Sequence, residues 1–231
     1  MSKWEIFVRQ LISRKGYVLV LQGLSTTLQI AVLGLLIGMV IGSLLAVFKL
    51  LPKKNPITTF LKGFTDVYVA LFRGTPMVVQ LLIFHFVLFP TLGIRINPTI
   101  EGTIAFGLNS GAYVCEIMRG GILSVDKGQT EAGRALGLTY TKTMTKIVIP
   151  QAIKNVVPTL GNEFIALIKE TSVVSFIAVV DLTKAFQAMA SSTYEFIVPY
   201  IMLALCYLVL VLIITALIKI IERRLRASDK R

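Results

Sequence analysis

Three stretches of the sequence are long enough to cross a membrane and contain no charged side chain. They cover 16–48, 74–94 and 196–218, which are 33, 21 and 23 residues. An α-helix needs about 20 apolar residues to span the hydrocarbon core of a bilayer. The chain is 55% hydrophobic, with a mean hydropathy of +0.78. These features predict an integral membrane protein.

Two further apolar stretches, near 100–123 and 157–180, carry interior charges and complete a set of five. We therefore predict an all-α integral membrane protein with about five transmembrane helices, at roughly 18–48, 66–91, 99–123, 157–180 and 196–221. Within the first helix, Gly34, Gly38 and Gly42 recur every four residues on one face. Small residues at this spacing let helix backbones approach closely in lipid, so this face is predicted to pack against another helix.

The positive charges indicate how the helices cross the membrane. Of the 24 Lys and Arg residues, 16 lie in the segments 49–62, 119–154 and 219–231. Because Lys and Arg concentrate in cytoplasmic loops, we predict a cytoplasmic C-terminus and an N-terminus outside. The net charge of +12 does not indicate a nucleic-acid partner, since the cations border apolar stretches instead of forming one solvated face.

The N-terminal segment, residues 1–17, does not follow this charge rule. It is basic, yet five spans place it outside. Its apolar residues have a spacing that suits an amphipathic helix lying on the membrane; they are Trp4, Phe7, Val8, Leu11 and Ile12.

The long cytoplasmic loop contains a short predicted helix. Thr130 could cap it, Glu131 suits its positive end, and Gly137 suits its C-terminal end. Ala132 and Gly133 would offer a nearly flat surface that could enter a groove of another protein. An ordinary amphipathic connector explains the same pattern equally well.

This loop also carries a spaced motif, which reads Glu131, Ala132, Gly133, Gly137, Ile147, Ile149 and Pro150. It resembles the signature of permease subunits of ABC importers, with Gly133 in place of Ala and Ile149 in place of Leu. The stretches 71–76 with Gln80, 111–122 and 161–172 resemble the polar amino-acid permeases of this class, the histidine, glutamine and arginine permease family. The resemblance covers nearly all of the chain after about residue 18.

The resemblance implies one transmembrane permease domain over 1–231, with the type I ABC importer fold and a coupling loop over 131–150. Glu131, Ala132, Gly133 and Gly137 would contact separate ABC ATPase subunits. The other implied partners are a second permease subunit (an identical chain or a close paralogue), an extracytoplasmic substrate-binding protein and the lipid bilayer. The location would be the bacterial cytoplasmic membrane.

ATP hydrolysis is expected to take place on other subunits. The sequence has no Gly-Lys dipeptide and therefore no phosphate-binding Walker A loop. We expect no enzymatic activity and no cofactor on this chain, with ATP and Mg bound by the partner ATPase.

Ionisable residues within spans are costly and are often functional; the candidates are Asp66, Glu116, Glu163, Lys169 and Glu170. Glu116 and Arg119 are three residues apart and are predicted to pair. Lys169 and Glu170 are predicted to form a structural or gating break. His85, the only histidine, is predicted to be a packing residue.

Glu163 is the preferred substrate-binding residue. It has no basic neighbour in its own helical turn, and a carboxylate beside a translocation path suits a cationic group. The further predicted contacts are Asn162, Asn109 with its neighbour Ser110, Gln80, Tyr68 and Thr75, the last in a stretch that Pro76 is expected to break. A carboxylate at the position of Glu163 resembles permeases for basic amino acids, which favours arginine, lysine or histidine.

Alternatives remain at this stage. Glu163 could balance a buried cation such as Lys169, and the substrate could be glutamine, glutamate or cystine. An ion-coupled secondary transporter and a membrane scaffold are rival classes of function, although no inverted repeat supports the transporter.

Overall fold

The computed structural model describes residues 2–51 and 55–227, and in this part of the chain all regular structure is helical. The helices are α1 (Lys3–Val8), α2 (Gly16–Leu50), α3 (Pro56–Gly74), α4 (Met77–Thr91), α5 (Pro98–Leu123), α6 (Lys127–Ala135), α7 (Tyr140–Thr143), α8 (Ile149–Glu170), α9 (Leu182–Thr193) and α10 (Ile197–Ala227). The predicted spans correspond to α2, α3 with α4, α5, α8 and α10, so the predicted fold class is confirmed. By length and hydropathy alone, α2 and α10 can cross a membrane, and the bent pair α3–α4 would make a third span.

The predicted glycine face of α2 packs against α5. A Cβ added to Gly38 would lie 2.7 Å from the Ser110 Cβ, and one added to Gly42 would lie 2.6 Å from the Val114 Cβ. In return, an added Cβ on Gly107 of α5 would lie 2.6 Å from Ile37. The paired positions increase together along both helices, so α2 and α5 run parallel, as a five-span topology requires of its first and third spans.

The second predicted span, 66–91, contains the expected break at Pro76, but it starts at a different residue from the predicted one. It begins earlier, at Pro56, and α3 and α4 meet at a bend of 107°. Pro76 is the physical cause, because it has no N–H to donate and it disfavours helical backbone at the residue before it. Thr75 accordingly adopts φ −122° and ψ 147°.

The fourth predicted span, 157–180, also ends differently. Helix α8 stops at Glu170 and continues as a 3₁₀ segment over Thr171–Ile177. The Thr171 hydroxyl donates to the Ile168 carbonyl at 2.7 Å, and the Ser175 hydroxyl donates to the Ser172 carbonyl at 2.7 Å. Hydroxyl and β-branched side chains are poor residues for a helix interior, so this polar run ends the α-helix although the residues after it are apolar.

The basic segments share one end of the bundle. The ammonium group of Lys49, at the end of α2, lies 2.6 Å from the carboxylate of Glu116 in α5. Gly121 of α5 contacts Val156 near the start of α8, and Gly161 of α8 contacts Ile218 near the end of α10. Lys53, Lys54 and the cations from Lys230 onward lie outside the described residues.

The N-terminal segment lies at the opposite end. Phe7 is buried with its ring 6.5 Å from that of Phe186 in α9, and Lys3 lies 3.8 Å from Glu195. The apolar face of this segment therefore packs partly on the protein, while Trp4 and Ile12 stay exposed.

Candidate functional site

Glu163 lies in the middle of α8, where it meets α5. Its carboxylate accepts a hydrogen bond from the Ser110 hydroxyl at 3.2 Å. Among residues 2–51 and 55–227, no cation lies within 4.0 Å of this carboxylate. Lys169 is exposed and does not pair with it. Glu163 therefore keeps most of its capacity to accept hydrogen bonds from a cation.

One cation lies farther from Glu163. Arg73, at the end of α3, interacts electrostatically with this carboxylate, and so does Glu170. The Arg73 guanidinium lies 5.2 Å from the ring centroid of Tyr113 in α5. Stacking on an aromatic face holds a guanidinium in place while its N–H groups stay available.

A cavity of about 620 Å³ opens between α5, α8 and the end of α3. Arg73 and Tyr113 line it, together with Glu116, Asn155 and Thr159. Because Thr159 is one helical turn before Glu163 in α8, the cavity lies next to the Glu163–Ser110 pair.

Three of the predicted substrate contacts, Gln80, Thr75 and Asn109, instead form hydrogen bonds at the break between α3 and α4. The Gln80 amide donates to the Phe72 carbonyl at 2.8 Å, to the Thr75 carbonyl at 3.0 Å and to the Thr75 hydroxyl at 2.8 Å. The Asn109 amide donates to the Gln80 side-chain carbonyl at 2.9 Å. Gln80 is 5% exposed and Asn109 is 3% exposed. In this structure these side chains replace lost backbone hydrogen bonds instead of lining the cavity.

Of the remaining two predicted contacts, Tyr68 joins two helices and Asn162 is exposed. The Tyr68 hydroxyl donates to the Leu108 carbonyl at 2.5 Å, so it ties α3 to α5. Asn162 is exposed on α8 beside Glu163.

Four charged residues form a network at the end of α2. Lys49 lies 3.1 Å from Asp66 and 2.6 Å from Glu116, and Arg119 lies 2.8 Å from Glu116. The predicted pairing of Glu116 with Arg119 is confirmed. The network joins α2, α3 and α5 beside the cavity, which Glu116 lines.

The predicted coupling helix is α6, with one correction. Its N-cap is Asp126, whose carboxylate accepts from the Gly128 N–H at 2.6 Å, and not Thr130, which lies inside the helix. Gly137 ends it with φ +79°, donating to Arg134, and the Leu138 N–H donates to the Gly133 carbonyl at 3.1 Å. This is a Schellman motif, which favours glycine at that position.

The outward face of α6 is less flat than the sequence indicates. Glu131 and Ala132 are exposed, but Gly133 is buried against Thr143. Leu136, next to the helix end, is 81% exposed and projects from the chain.

Sequence reasoning missed the partner of His85. Its Nδ1 lies 2.5 Å from the Glu101 carboxylate, which is 6% exposed in the first turn of α5. A cavity of about 510 Å³ adjoins this pair. The sequence did contain a signal for this pair, namely the single histidine in one predicted span and an acidic residue at the start of the next.

Comparisons with known proteins agree with this architecture. A family model described as "Binding-protein-dependent transport system inner membrane component" matches residues 34–227. The chain is 43% identical over 209 residues to a putative glutamine transport system permease protein GlnP of Rickettsia bellii, covering 90% of this chain and 94% of that protein. It is 41% identical over 212 residues to the arginine transport system permease protein ArtQ of Bacillus subtilis, covering 91% and 94%.

Solved structures also match this chain. An amino acid ABC transporter with histidines matches at a TM-score of 0.84 and 40% identity, covering 93% of this chain and 97% of that chain. The inward-facing methionine transporter MetNI shares the fold alone, with a TM-score of 0.75 at 18% identity.

The resemblance read from the 131–150 motif is thus confirmed by the family match over residues 34–227 and by relatives that cover about nine tenths of the chain, and the secondary-transporter and scaffold alternatives are set aside. ATP hydrolysis is by a separate ATPase subunit, so this chain is not an enzyme. The chain therefore belongs to the family of binding-protein-dependent transport system inner membrane components, as the permease component of an amino-acid ABC transporter.

Proposed function

We propose that this permease carries amino acids with a cationic side chain, namely arginine, lysine or histidine, and that Glu163 recognises the positive charge. The observation that carries the proposal is the Glu163 carboxylate, which is half-buried beside Ser110 without an ion-pair partner among the described residues. Burying a carboxylate without a counter-charge is costly, and a cationic group of the substrate would supply that counter-charge.

Arg73 provides the opposite charge near the same cavity. An amino acid presents a carboxylate as well as an ammonium group, and a guanidinium held on Tyr113 suits the carboxylate. Arg73 and Glu163 together would orient the substrate along the cavity between α5 and α8.

The partners follow from the family. Two ATPase subunits would dock on Glu131, Ala132 and the end of α6 at Gly137, with Gly133 supporting α6 from behind. A second permease copy or close paralogue completes the pathway, and an extracytoplasmic binding protein delivers the substrate. ATP and Mg would bind to the ATPases, with no cofactor on this chain.

The orientation belongs to the proposal too. Because the described parts of the three basic segments share one end of the bundle, that end would be cytoplasmic and the N-terminus outside.

A second candidate substrate class is neutral. Similar proteins are named for glutamine and for L-cystine, the latter TcyB of Bacillus subtilis at 39% identity. With a neutral substrate, Glu163 would meet only the α-ammonium group that every amino acid carries.

Competition uptake by Glu163→Gln in the assembled transporter separates the two classes. We expect arginine uptake to weaken about 10- to 100-fold and glutamine uptake to change little, because one charge-assisted hydrogen bond is lost. The matched control is Glu222→Gln on α10. Equal weakening of all amino acids would favour the neutral class, and unchanged arginine uptake would remove Glu163 from the site.

A further inference from the structure

A cavity of about 510 Å³ lies between the end of α4, the loop after it and the start of α5. Glu101 of α5 and Arg95 of the loop line it, together with His85 of α4 and the rings of Phe86 and Phe89. Small-molecule sites in proteins have volumes of about 300–1,000 Å³, with a few placed polar groups in a mostly apolar wall. The cavity has the size and the lining of such a site, and it presents both signs of charge.

The cavity lies at the end of the bundle opposite the basic segments. The glycines of α2 contact residues of α5 that come 72 positions later, as Gly38 contacts Ser110. Pro98, at the start of α5, is therefore level with Thr26, which is 23 residues before Lys49. That separation is a rise of about 35 Å, slightly more than the ~30 Å hydrocarbon core of a bilayer. The cavity is thus at a membrane surface, and in the proposed orientation this surface is the outer one.

Glu101 is held in place with one carboxylate oxygen available. Its side chain is 8% exposed, and one of its oxygens lies 2.5 Å from the His85 Nδ1. The other oxygen has no hydrogen-bond partner among residues 2–51 and 55–227. In that part of the chain no side-chain oxygen that is sealed from solvent lacks a partner, so this oxygen opens on the cavity. His85 therefore fixes the carboxylate while its second oxygen can accept from a ligand.

Arg95 offers the opposite charge on the same cavity. It is exposed, and within residues 2–51 and 55–227 no carboxylate lies within 4.0 Å of it. A guanidinium is always charged and binds carboxylates through paired N–H groups. A simple cation would use only Glu101, and a simple anion would use only Arg95. A ligand that carries both an ammonium group and a carboxylate would use the two together.

We infer that this cavity is a second amino-acid binding site, in which Glu101 binds the α-ammonium group and Arg95 binds the α-carboxylate. Because every amino acid carries both groups, the site accepts free amino acids as a class and discriminates little between side chains. It is separate from the Glu163 site, since Ser110 comes nine residues after Glu101 in α5, a rise of about 14 Å. The inference depends on the proposed orientation only for the side of the membrane on which the site lies.

Equilibrium dialysis of the assembled transporter, purified without its binding protein, tests this inference with radiolabelled arginine and glutamine. In a Glu163→Gln background, which weakens the other site for arginine, one arginine should remain bound per permease chain. Adding Arg95→Gln should weaken that binding about 10- to 100-fold, because a charge-assisted pair is lost, and should lower glutamine binding at this site by a similar factor. The charge-matched control is Arg14→Gln, an exposed cation that does not line the cavity, which should retain the binding.

Two further measurements separate a binding site from a contact that only joins α4 to α5. Glu101→Gln should weaken binding as Arg95→Gln does, but it also changes the bond with His85, which Arg95→Gln leaves intact. Loss of binding in Glu101→Gln alone would therefore overturn the inference. N-acetylarginine lacks the ammonium group and agmatine lacks the carboxylate, so each should compete about 10-fold or more weakly than arginine.

Equal competition by either compound would also overturn the inference, and so would the absence of bound arginine in the Glu163→Gln background. Neither of these results would bear on the proposed function, which depends on selective loss of arginine uptake in Glu163→Gln.

Discussion

The Gln80 side chain donates a hydrogen bond to the Phe72 carbonyl, the group whose helical partner would have been Pro76. Proline has no N–H, so the break between α3 and α4 leaves this acceptor without its usual donor. Gln80 supplies the missing donor, and Asn109 of α5 adds a second at 3.3 Å. Side chains on two helices therefore stabilise the break.

Replacing Gln80 by Leu should destabilise the permease, because the Phe72 carbonyl would be left buried without its main donor. A lost buried hydrogen bond of this kind costs about 1–3 kcal/mol. Thermal unfolding of the detergent-solubilised transporter measures it. Gln29→Leu, on the exposed face of α2, is the matched control and should change stability little.

The close contact of α2 with α5 predicts a strong effect of one added methyl group. Gly38→Ala would push a Cβ to 2.7 Å from Ser110, which in turn holds Glu163. We expect lower thermal stability and weaker substrate-stimulated ATP hydrolysis in the assembled complex. Gly63→Ala on α3 meets no atom within 4 Å and should stabilise by about 1 kcal/mol or less through helix propensity. A neutral Gly38→Ala would show that α2 and α5 separate easily.

The end of α6 predicts a graded series at Gly137. Its φ of +79° costs an ordinary L-residue about 1–2 kcal/mol, whereas asparagine tolerates this region better. Gly137→Leu should therefore reduce ATP-driven uptake, and Gly137→Asn should retain most of it. Uptake and ATPase activity measured on the same preparation separate loss of coupling from loss of assembly. Normal ATP-driven uptake by both variants would contradict a role for this helix end.

The network around Lys49 predicts a contribution to stability that salt weakens only in part, because the Lys49–Glu116 pair is mostly buried while Asp66 is exposed. Lys49→Met leaves Asp66 unpaired and Glu116 with Arg119 alone, at a cost of about 1–3 kcal/mol. Adding Asp66→Asn should restore part of the loss. Unfolding temperatures at low and high salt provide the test, with Lys62→Met as the control. Additive losses in the double variant would mean that the two residues do not interact.

Impermeant thiol labelling tests the orientation. In a background with Cys206→Ser, a cysteine at Ser2 should react on intact cells, and one at exposed Tyr140 should react only after lysis. The reverse pattern would invert the topology and remove α6 from the cytoplasm.

Local patterns were enough to predict part of this structure. The length of the uncharged 16–48 stretch predicts the span α2. The spacing of Gly34, Gly38 and Gly42 on one face of that helix predicts its close packing. Glu163 and Ser110 were both identified because polar groups within apolar spans are few.

The errors concern interactions between segments. Pro76 signalled the break, but only the folded chain brings Gln80 and Asn109 to its carbonyl groups. Apolar residues after Glu170 suggested a continuing span because the sequence does not show how the hydroxyls of Thr171 and Ser175 bond. Asp126 and Thr130 are both plausible caps, and the choice depends on where the preceding helix ends.

The reciprocal contacts of α2 and α5 limit how this permease can move. Helix α2 places Ile37 over Gly107 and Ile41 over Gly111, and α5 places the side chains of Phe106, Ser110 and Val114 against the glycines of α2. Sliding to the next matching register would require about 6 Å, four residues along the axis, and smaller shifts would clash. The two helices should behave as one rigid wall, so a conformational change of the permease would move other helices against that wall.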